Sequence, residues 1–118
     1  MKKAKLIKID AVKFGELKVN GKVYYSDMIV WWDGRMEFRQ KSHIFEIKEL
    51  NRILRRKPKA MVIGTGFTGI VVVSGDVHKK LKGKRIKLFV DTSENAIDIF
   101  NGLVRSGKKV VAIIHTTC

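Results

Sequence analysis

The sequence predicts an α/β protein with three layers, in which helices and an N-terminal antiparallel β subdomain cover a central, mostly parallel sheet. In the second half, short apolar runs alternate with segments of helical periodicity, as in βαβ units, whose strands are usually parallel. The first 40 residues instead hold closely spaced apolar segments joined by Asn20-Gly21 and Asp33-Gly34, which are typical hairpin turns. We therefore predict a single domain over residues 1–118, with a β-rich layer in 1–40 and a βαβ-type portion in 41–118.

The composition indicates a folded protein, since 45% of the residues are hydrophobic and 31% are charged. No apolar run approaches the roughly 20 residues that span a bilayer, so no membrane association is expected. Lys5 and Lys8 interrupt any apolar segment after the basic start, which disfavours a secretory signal. Cys118 is the single cysteine, and this fits the reducing cytoplasm where we expect the protein to reside.

The formal net charge is +14, a balance that attracts anions, including nucleic acids, at long range. The same excess of Lys and Arg, with a single glutamine, also suits the surface of a thermophilic protein. Both interpretations remain open. Eleven of the 25 basic residues lie in two clusters without interleaved aromatic residues, which weakens the case for RNA. The clusters are Arg52, Arg55, Arg56, Lys57, Lys59 and Lys79, Lys80, Lys82, Lys84, Arg85, Lys87.

Strands dominate the first 40 residues. Alternating or continuous apolar residues predict them at residues 5–13, 17–19, 23–25, 28–32 and 36–40. The adjacent Trp31 and Trp32 could form a stacking platform for bases or pack inside the protein. Packing is favoured, because successive residues of a strand point to opposite faces and at least one ring then faces a core.

Helical periodicity appears in three later segments. The first runs from Phe45 to Arg56 and ends before Pro58, which disfavours helical geometry in the residue before it. A short helix follows Ser74 or Asp76 and stops at Gly83. The longest begins at the capping-box pattern of residues 91–94 and ends at Ser106-Gly107. Apolar strands are predicted between them at residues 60–63, 85–90 and 109–115, with an extended piece at 70–73.

The central apolar strand breaks into a glycine-rich loop, residues 64–69. If the three apolar strands are parallel, the loops after Ile63, Val90 and Ile114 share one edge, where open α/β sheets bind ligands. The loop matches GxGxxG, but a β-branched segment follows it in place of a helix, which disfavours a dinucleotide site. An anion-binding nest and a tight turn that needs positive φ both remain open. The candidate residues are Gly64, Thr65, Gly66, Phe67 and Thr68.

A second candidate is the segment His115-Thr116-Thr117-Cys118. A zinc site is disfavoured, because it needs four ligands and only His43 and His78 remain as imidazoles. A Cys118–His115 nucleophile pair is also disfavoured, since a nearby terminal carboxylate would oppose the thiolate. We predict no metal, no cofactor and no catalytic residue, and a small enzyme with a cleft at the glycine loop is the least favoured function.

Several of these motifs resemble one family. Val62-Ile63-Gly64-Thr65-Gly66, the helix with Phe100-Asn101-x-Leu103 and the segment 115–118 are similar to the adipogenesis-associated small α/β domain proteins, which are related to a mitochondrial complex I assembly factor. The resemblance covers nearly the whole chain. It implies a three-layer fold and a role in regulation or assembly, and it carries over no catalytic residue. The chain differs at Phe100, where tyrosine is usual, and at Phe38.

The sequence therefore predicts a non-enzymatic interaction, assembly or regulatory protein with a protein partner, and an anion as a candidate ligand of the glycine loop. The alternative is a basic module that binds RNA or DNA. The resemblance adds Asn101 and the segment 115–118 to the loop as a candidate shared surface. The full set of candidate ligand-binding residues is Gly64, Thr65, Gly66, Phe67, Thr68, Asn101, His115 and Cys118.

Overall fold

A computed structural model describes residues 6–118, which form ten strands and three helices. The strands are β1 (Ile9–Lys13), β2 (Glu16–Val19), β3 (Lys22–Tyr24), β4 (Asp27–Trp31), β5 (Met36–Arg39), β6 (Ile44–Phe45), β7 (Ala60–Gly64), β8 (Val72–Val73), β9 (Lys87–Asp91) and β10 (Val110–Ile114). The helices are α1 (Ile47–Leu54), α2 (Gly75–Gly83) and α3 (Ser93–Arg105).

The central sheet has five strands in the order β5-β4-β10-β7-β9. The strands β10, β7 and β9 are parallel, whereas β4 runs antiparallel to both β10 and β5. Four of the five strands therefore run in one direction. Together with the antiparallel sheet β1-β2-β3, this confirms the predicted α/β class with a mostly parallel central sheet.

The two faces of the central sheet carry separate cores, because alternate residues of each strand point to opposite sides. From β10, Val110, Ala112 and Ile114 enter one core, together with apolar residues of α3 and of the β1-β2-β3 sheet. Val111 and Ile113 enter the other core, with residues of α1, α2 and β6. The central sheet is thus the middle of three layers.

The first hairpin forms as its sequence predicts. Asn20 and Gly21 have φ angles of 45° and 82° between β2 and β3, as a type I′ turn requires. The second hairpin, β4–β5, belongs to the central sheet and not to the β-rich layer that the sequence predicts over residues 1–40. Every residue of β4 is buried, as expected for a strand covered on both faces.

The first helix is shorter than its periodicity indicates. The structure begins α1 at Ile47, and Phe45 instead lies in β6, where it pairs with Val73 of β8. The Phe45 ring is fully buried in the second core, so the long-range pairing overrides the local helical pattern. The predicted first strand also shortens to Ile9–Lys13, and its residue Lys5 lies outside the described residues. No helix within residues 6–118 is long and apolar enough to cross a membrane.

Candidate functional site at the carboxyl edge of the sheet

Five strands meet at one edge of the central sheet. Gly64, Asp91 and Ile114 are paired neighbours at the ends of β7, β9 and β10, so the loops that follow lie side by side, as predicted. Because β4 is antiparallel, it begins at this edge with Asp27, which pairs with Arg39 at the end of β5. The directions of the strands thus bring together the segments that follow β5, β7, β9 and β10. They also place the side chains of Asp27 and Arg39 at the same edge.

The glycine loop uses its backbone donors within the chain. The N–H groups of Thr65 and Gly66 donate to the carbonyl oxygen of Asp91 at 2.8 Å and to Ser93 Oγ at 2.9 Å. Those of Phe67 and Thr68 donate to carbonyl oxygens of residues 117 and 118, at 2.9 and 2.6 Å. No N–H group of residues 65–68 is left for an anion in this conformation. Anion binding here stays a prediction, and the geometry favours the tight turn.

Asp27 is the centre of a buried polar network. Its residue is 4% exposed, and Oδ2 lies 2.5 Å from Nδ1 of His115, which is 1% exposed. Because a carboxylate only accepts, Nδ1 donates to it, and Nε2 on the other side of the ring lies 3.2 Å from Thr117 Oγ1. The other oxygen, Oδ1, accepts from both the N–H and the hydroxyl of Thr116, at 3.0 and 3.1 Å. This network holds β10 and the segment after it against the start of β4.

Arg39 extends the network from the sheet to α1. Its guanidinium donates to both carboxylate oxygens of Glu49, at 2.6 and 3.0 Å, and Nη1 lies 3.9 Å from Asp27 Oδ2. It also donates to the carbonyl oxygens of Ser42 and Ile44, at 3.3 and 3.2 Å. The bidentate pair fixes both position and direction of the guanidinium. A side chain that is 3% exposed therefore joins β5, α1 and residues 42–44 into one unit.

An open cleft lies beside this unit, between β5, residues 40–44 and α1. We call it the β5–α1 cleft; its volume is about 840 Å³. Five cationic residues and two acidic ones line it: Arg39, Lys41, Lys48, Arg52, Arg55, Glu46 and Glu49. Two large apolar side chains on its lining face solvent, namely Phe38 at 72% and Ile44 at 50% exposure.

Comparison with known proteins shows the family to which the chain belongs. The chain matches the family described as protein of unknown function (DUF498/DUF598) over residues 9–115. It belongs to the DUF498/DUF598 family. The match includes β1 to β10 and therefore both walls of the β5–α1 cleft.

Solved structures share the whole fold of this DUF498/DUF598 protein. A conserved hypothetical protein from Pyrococcus horikoshii OT3 is 27% identical, with a TM-score of 0.84 over 94% of this chain and 99% of the other. A protein named MT938 is 28% identical, with a TM-score of 0.80 over 95% and 99% of the two chains. A Mth938-like domain from Bordetella pertussis, 13% identical with a TM-score of 0.66 over 98% and 92%, is similar in fold alone.

The structure places most of the sequence-predicted site residues of this DUF498/DUF598 protein together. Residues 64–68, His115 and Cys118 lie at the carboxyl edge, and their ligand binding stays a prediction. Asn101 is not brought there, because it lies eight residues, or about 12 Å, beyond the start of α3. Its side chain accepts from the N–H of Ile9 at 2.9 Å and donates to the carbonyl of Ile9 at 2.8 Å. Asn101 therefore attaches β1 to α3.

Three carboxyl groups have pKa values below their ordinary range. Burial raises the pKa of Glu37, but hydrogen bonds from Arg52 at 2.8 Å and Trp31 Nε1 at 2.7 Å outweigh it. A hydrogen bond from Arg56 lowers the pKa of Asp33, and one from Asn95 lowers that of Asp91. Glu37 thus stays ionised between β5 and α1 down to lower pH than a free glutamate.

The ion pair of Glu37 gives this DUF498/DUF598 protein a predictable pH dependence. Since the folded pKa is depressed, its contribution is present above the ordinary value of 4.5 and disappears as pH falls through the folded pKa. We expect the free energy of unfolding in urea to decrease from about pH 5 to about pH 3, and to decrease less in Glu37→Gln. The exposed Glu94→Gln serves as the control and should follow the wild type. Equal decreases in all three proteins would contradict the assignment.

Proposed function

We propose that the protein is a non-enzymatic interaction module that binds an acidic, extended segment of a partner protein in the β5–α1 cleft. The observation that carries this proposal is that the cleft runs beside β5, an edge strand that pairs only with β4 among the described strands. The resemblance to the adipogenesis-associated domain family supports it, because that family is associated with regulation and assembly.

An edge strand offers its unpaired backbone groups to an incoming peptide. A segment that adds to β5 gains main-chain hydrogen bonds, while its alternate side chains reach opposite sides. Met36–Arg39 spans four residues, enough to pair with a short segment of a partner. Phe38 and Ile44, exposed on the lining, offer contacts for apolar side chains of that segment.

Charge decides which kind of segment fits. Two of the lining arginines are neutralised by ion pairs. Arg39 pairs with Glu49, and Arg52 pairs with Glu37 of β5. Lys41, Lys48 and Arg55 then face a single further carboxylate on the lining, that of Glu46. The remaining field is positive, which favours acidic segments and speeds their association. An acidic segment with interspersed apolar residues therefore complements both the charge and the apolar lining of the cleft.

The β5–α1 cleft is also preformed in the absence of a partner. Arg39 fixes the carbonyl oxygens of Ser42 and Ile44, so one wall of the cleft is tied to the buried network. Binding to a preformed site avoids most of the entropy lost when a loop has to order. Asp27, which does not line the cleft, thus supports the interaction surface through Arg39.

Synthetic peptides of about ten residues test the proposal. We expect a peptide of alternating Glu and Leu to bind at near-physiological salt in a fluorescence anisotropy titration, and one with Lys in place of Glu not to bind. N-methylation of alternate backbone nitrogens removes N–H donors and keeps the side chains, so it should weaken binding at least about tenfold. Phe38→Ser should also weaken it, by about tenfold, through loss of apolar contact.

The matched control is Tyr25→Ser, because Tyr25 is 76% exposed and does not line the cleft. It should leave the affinity within about twofold of the wild type. Equal binding of the N-methylated peptide would contradict strand addition. Equal losses in Phe38→Ser and Tyr25→Ser would place the peptide outside the β5–α1 cleft.

A further inference from the structure

A second cleft lies at the opposite edge of the central sheet, where β7 and β9 begin. Its volume is about 550 Å³, and it is lined by Leu54 at the end of α1 and by six residues of the two connections that precede these strands. Leu54, Pro58 and Ile86 are its apolar members, and the other four are cations: Lys57, Lys59, Lys84 and Arg85. We call it the basic cleft. It shares no residue with the β5–α1 cleft.

The charge of the basic cleft is not compensated by side chains. No acidic residue lines it, and none of its four cations has a carboxylate oxygen within 4 Å among residues 6–118. The β5–α1 cleft differs, because two of its arginines are held in ion pairs. The basic cleft thus holds unpaired cations from both basic clusters of the sequence. Lys57 and Lys59 come from the first cluster, and Lys84 and Arg85 come from the second.

Helix ends account for only part of this charge. Both α1 and α2 end at the basic cleft, and each helix C-terminus is equivalent to about half a negative charge. Two helix ends therefore balance about one of the four cations and leave about three.

The backbone at the cleft is also unusual. Lys57 and Arg85 have φ angles of 55° and 58°, a region that residues other than glycine seldom adopt. Each donates its N–H to the last turn of the helix before it, at 3.0 and 3.1 Å. Lys57 and Arg85 therefore each end a helix in the left-handed conformation, one on either side of the cleft. Glycine is the usual residue at such a position, and here both residues are basic.

We propose that the basic cleft binds the phosphodiester backbone of a nucleic acid without reading its sequence. About three uncompensated cations suit successive phosphates, and the apolar members offer contact to the sugars between them. No aromatic or amide side chain lines the cleft, so it offers no aromatic ring on which a base could stack and no amide for a bidentate contact to adenine. The net charge of +14 draws such a polyanion toward the protein at long range.

Salt dependence tests this inference, because each phosphate contact releases counterions. We expect anisotropy titrations with mixed-sequence duplex DNA to give a straight line of log affinity against log salt. In Lys84→Gln/Arg85→Gln the slope should be smaller by about 2, since each duplex contact contributes about 0.9. Affinity at near-physiological salt should fall at least about tenfold. A parallel titration with single-stranded RNA identifies which nucleic acid binds more tightly. Weaker binding of either nucleic acid by the variant supports the proposal.

The matched control is Lys13→Gln/Lys18→Gln, which removes the same charge from exposed residues of β1 and β2. It should keep the slope and lose less than about threefold in affinity. Equal losses in both variants would overturn the basic cleft as the site and leave only a general field. Competition by polyglutamate or anionic lipid vesicles as strong as that by DNA would overturn the nucleic-acid assignment. Phe38→Ser should bind DNA normally, which separates this inference from the function proposed above.

Discussion

Replacing Asp27 with alanine lowers the free energy of unfolding by about 3–5 kcal/mol, the usual cost of removing one partner of a buried ion pair. The substitution leaves Glu49 as the one carboxylate paired with the guanidinium of Arg39 and removes the acceptor for His115 Nδ1. It also deprives the N–H and hydroxyl of Thr116 of their acceptor. Urea denaturation followed by circular dichroism measures the change, and a constant m value shows that the unfolded state is unaffected.

The control for Asp27 is Asp98→Ala, an exposed position on α3 that should change the stability by less than about 0.5 kcal/mol. Asp27→Asn is a second, milder variant, because its amide oxygen still accepts from Thr116 while the charge is lost. We expect the free energy of unfolding of Asp27→Asn to lie between those of Asp27→Ala and Asp98→Ala. An Asp27→Ala protein as stable as Asp98→Ala would show that the buried network does not hold the carboxyl edge together.

Gly66→Ala is the second substitution with a large expected effect, a destabilisation of at least about 2 kcal/mol. Gly66 has φ of 100°, which is unfavourable for alanine. An added Cβ would overlap with the carbonyl carbon of Cys118 and would lie 2.8 Å from His115 Cδ2. One of these contacts is with backbone that hydrogen-bonds to Thr68, so relief requires the segment after β10 to move. Thermal and urea unfolding both report the loss.

Gly83→Ala is the opposite control. Gly83 lies at the end of α2, and its added Cβ would meet no atom within 4 Å. Alanine has the higher helix propensity, so this variant should gain about 0.5 kcal/mol or more. If the two substitutions have the same sign and size, the close approach of residues 115–118 to the glycine loop does not exist in solution.

Local patterns in the sequence predict much of this fold. The hairpin at Asn20-Gly21, the apolar stripe of α3 and the shared edge after Ile63, Val90 and Ile114 all depend on nearby residues, and each is confirmed. By contrast, β6 depends on pairing with β8, whose residues are 28 positions away along the chain. No periodicity within residues 44–45 can indicate such a partner.

The candidate site was predicted only in part for a related reason. The residue types of the glycine loop and of His115 are enough to make them candidates for a site. Asp27 and Arg39 can be identified as part of the site only when the order of the strands in the sheet is known. A weak signal existed at Asp27, a carboxylate that begins a strand of otherwise apolar residues. The family resemblance groups Asn101 with the loop, whereas the fold uses it to attach β1.

The most direct test of the account is amide hydrogen exchange at β5, measured by NMR with and without the acidic peptide. Strand addition predicts that the amides of residues 36–39 that do not donate to β4 exchange more slowly when the peptide is bound. The N-methylated peptide should not slow them. Protection confined to other elements, with β5 unchanged at a peptide concentration that saturates the protein, would contradict the proposal that this edge strand and the β5–α1 cleft form the interaction site.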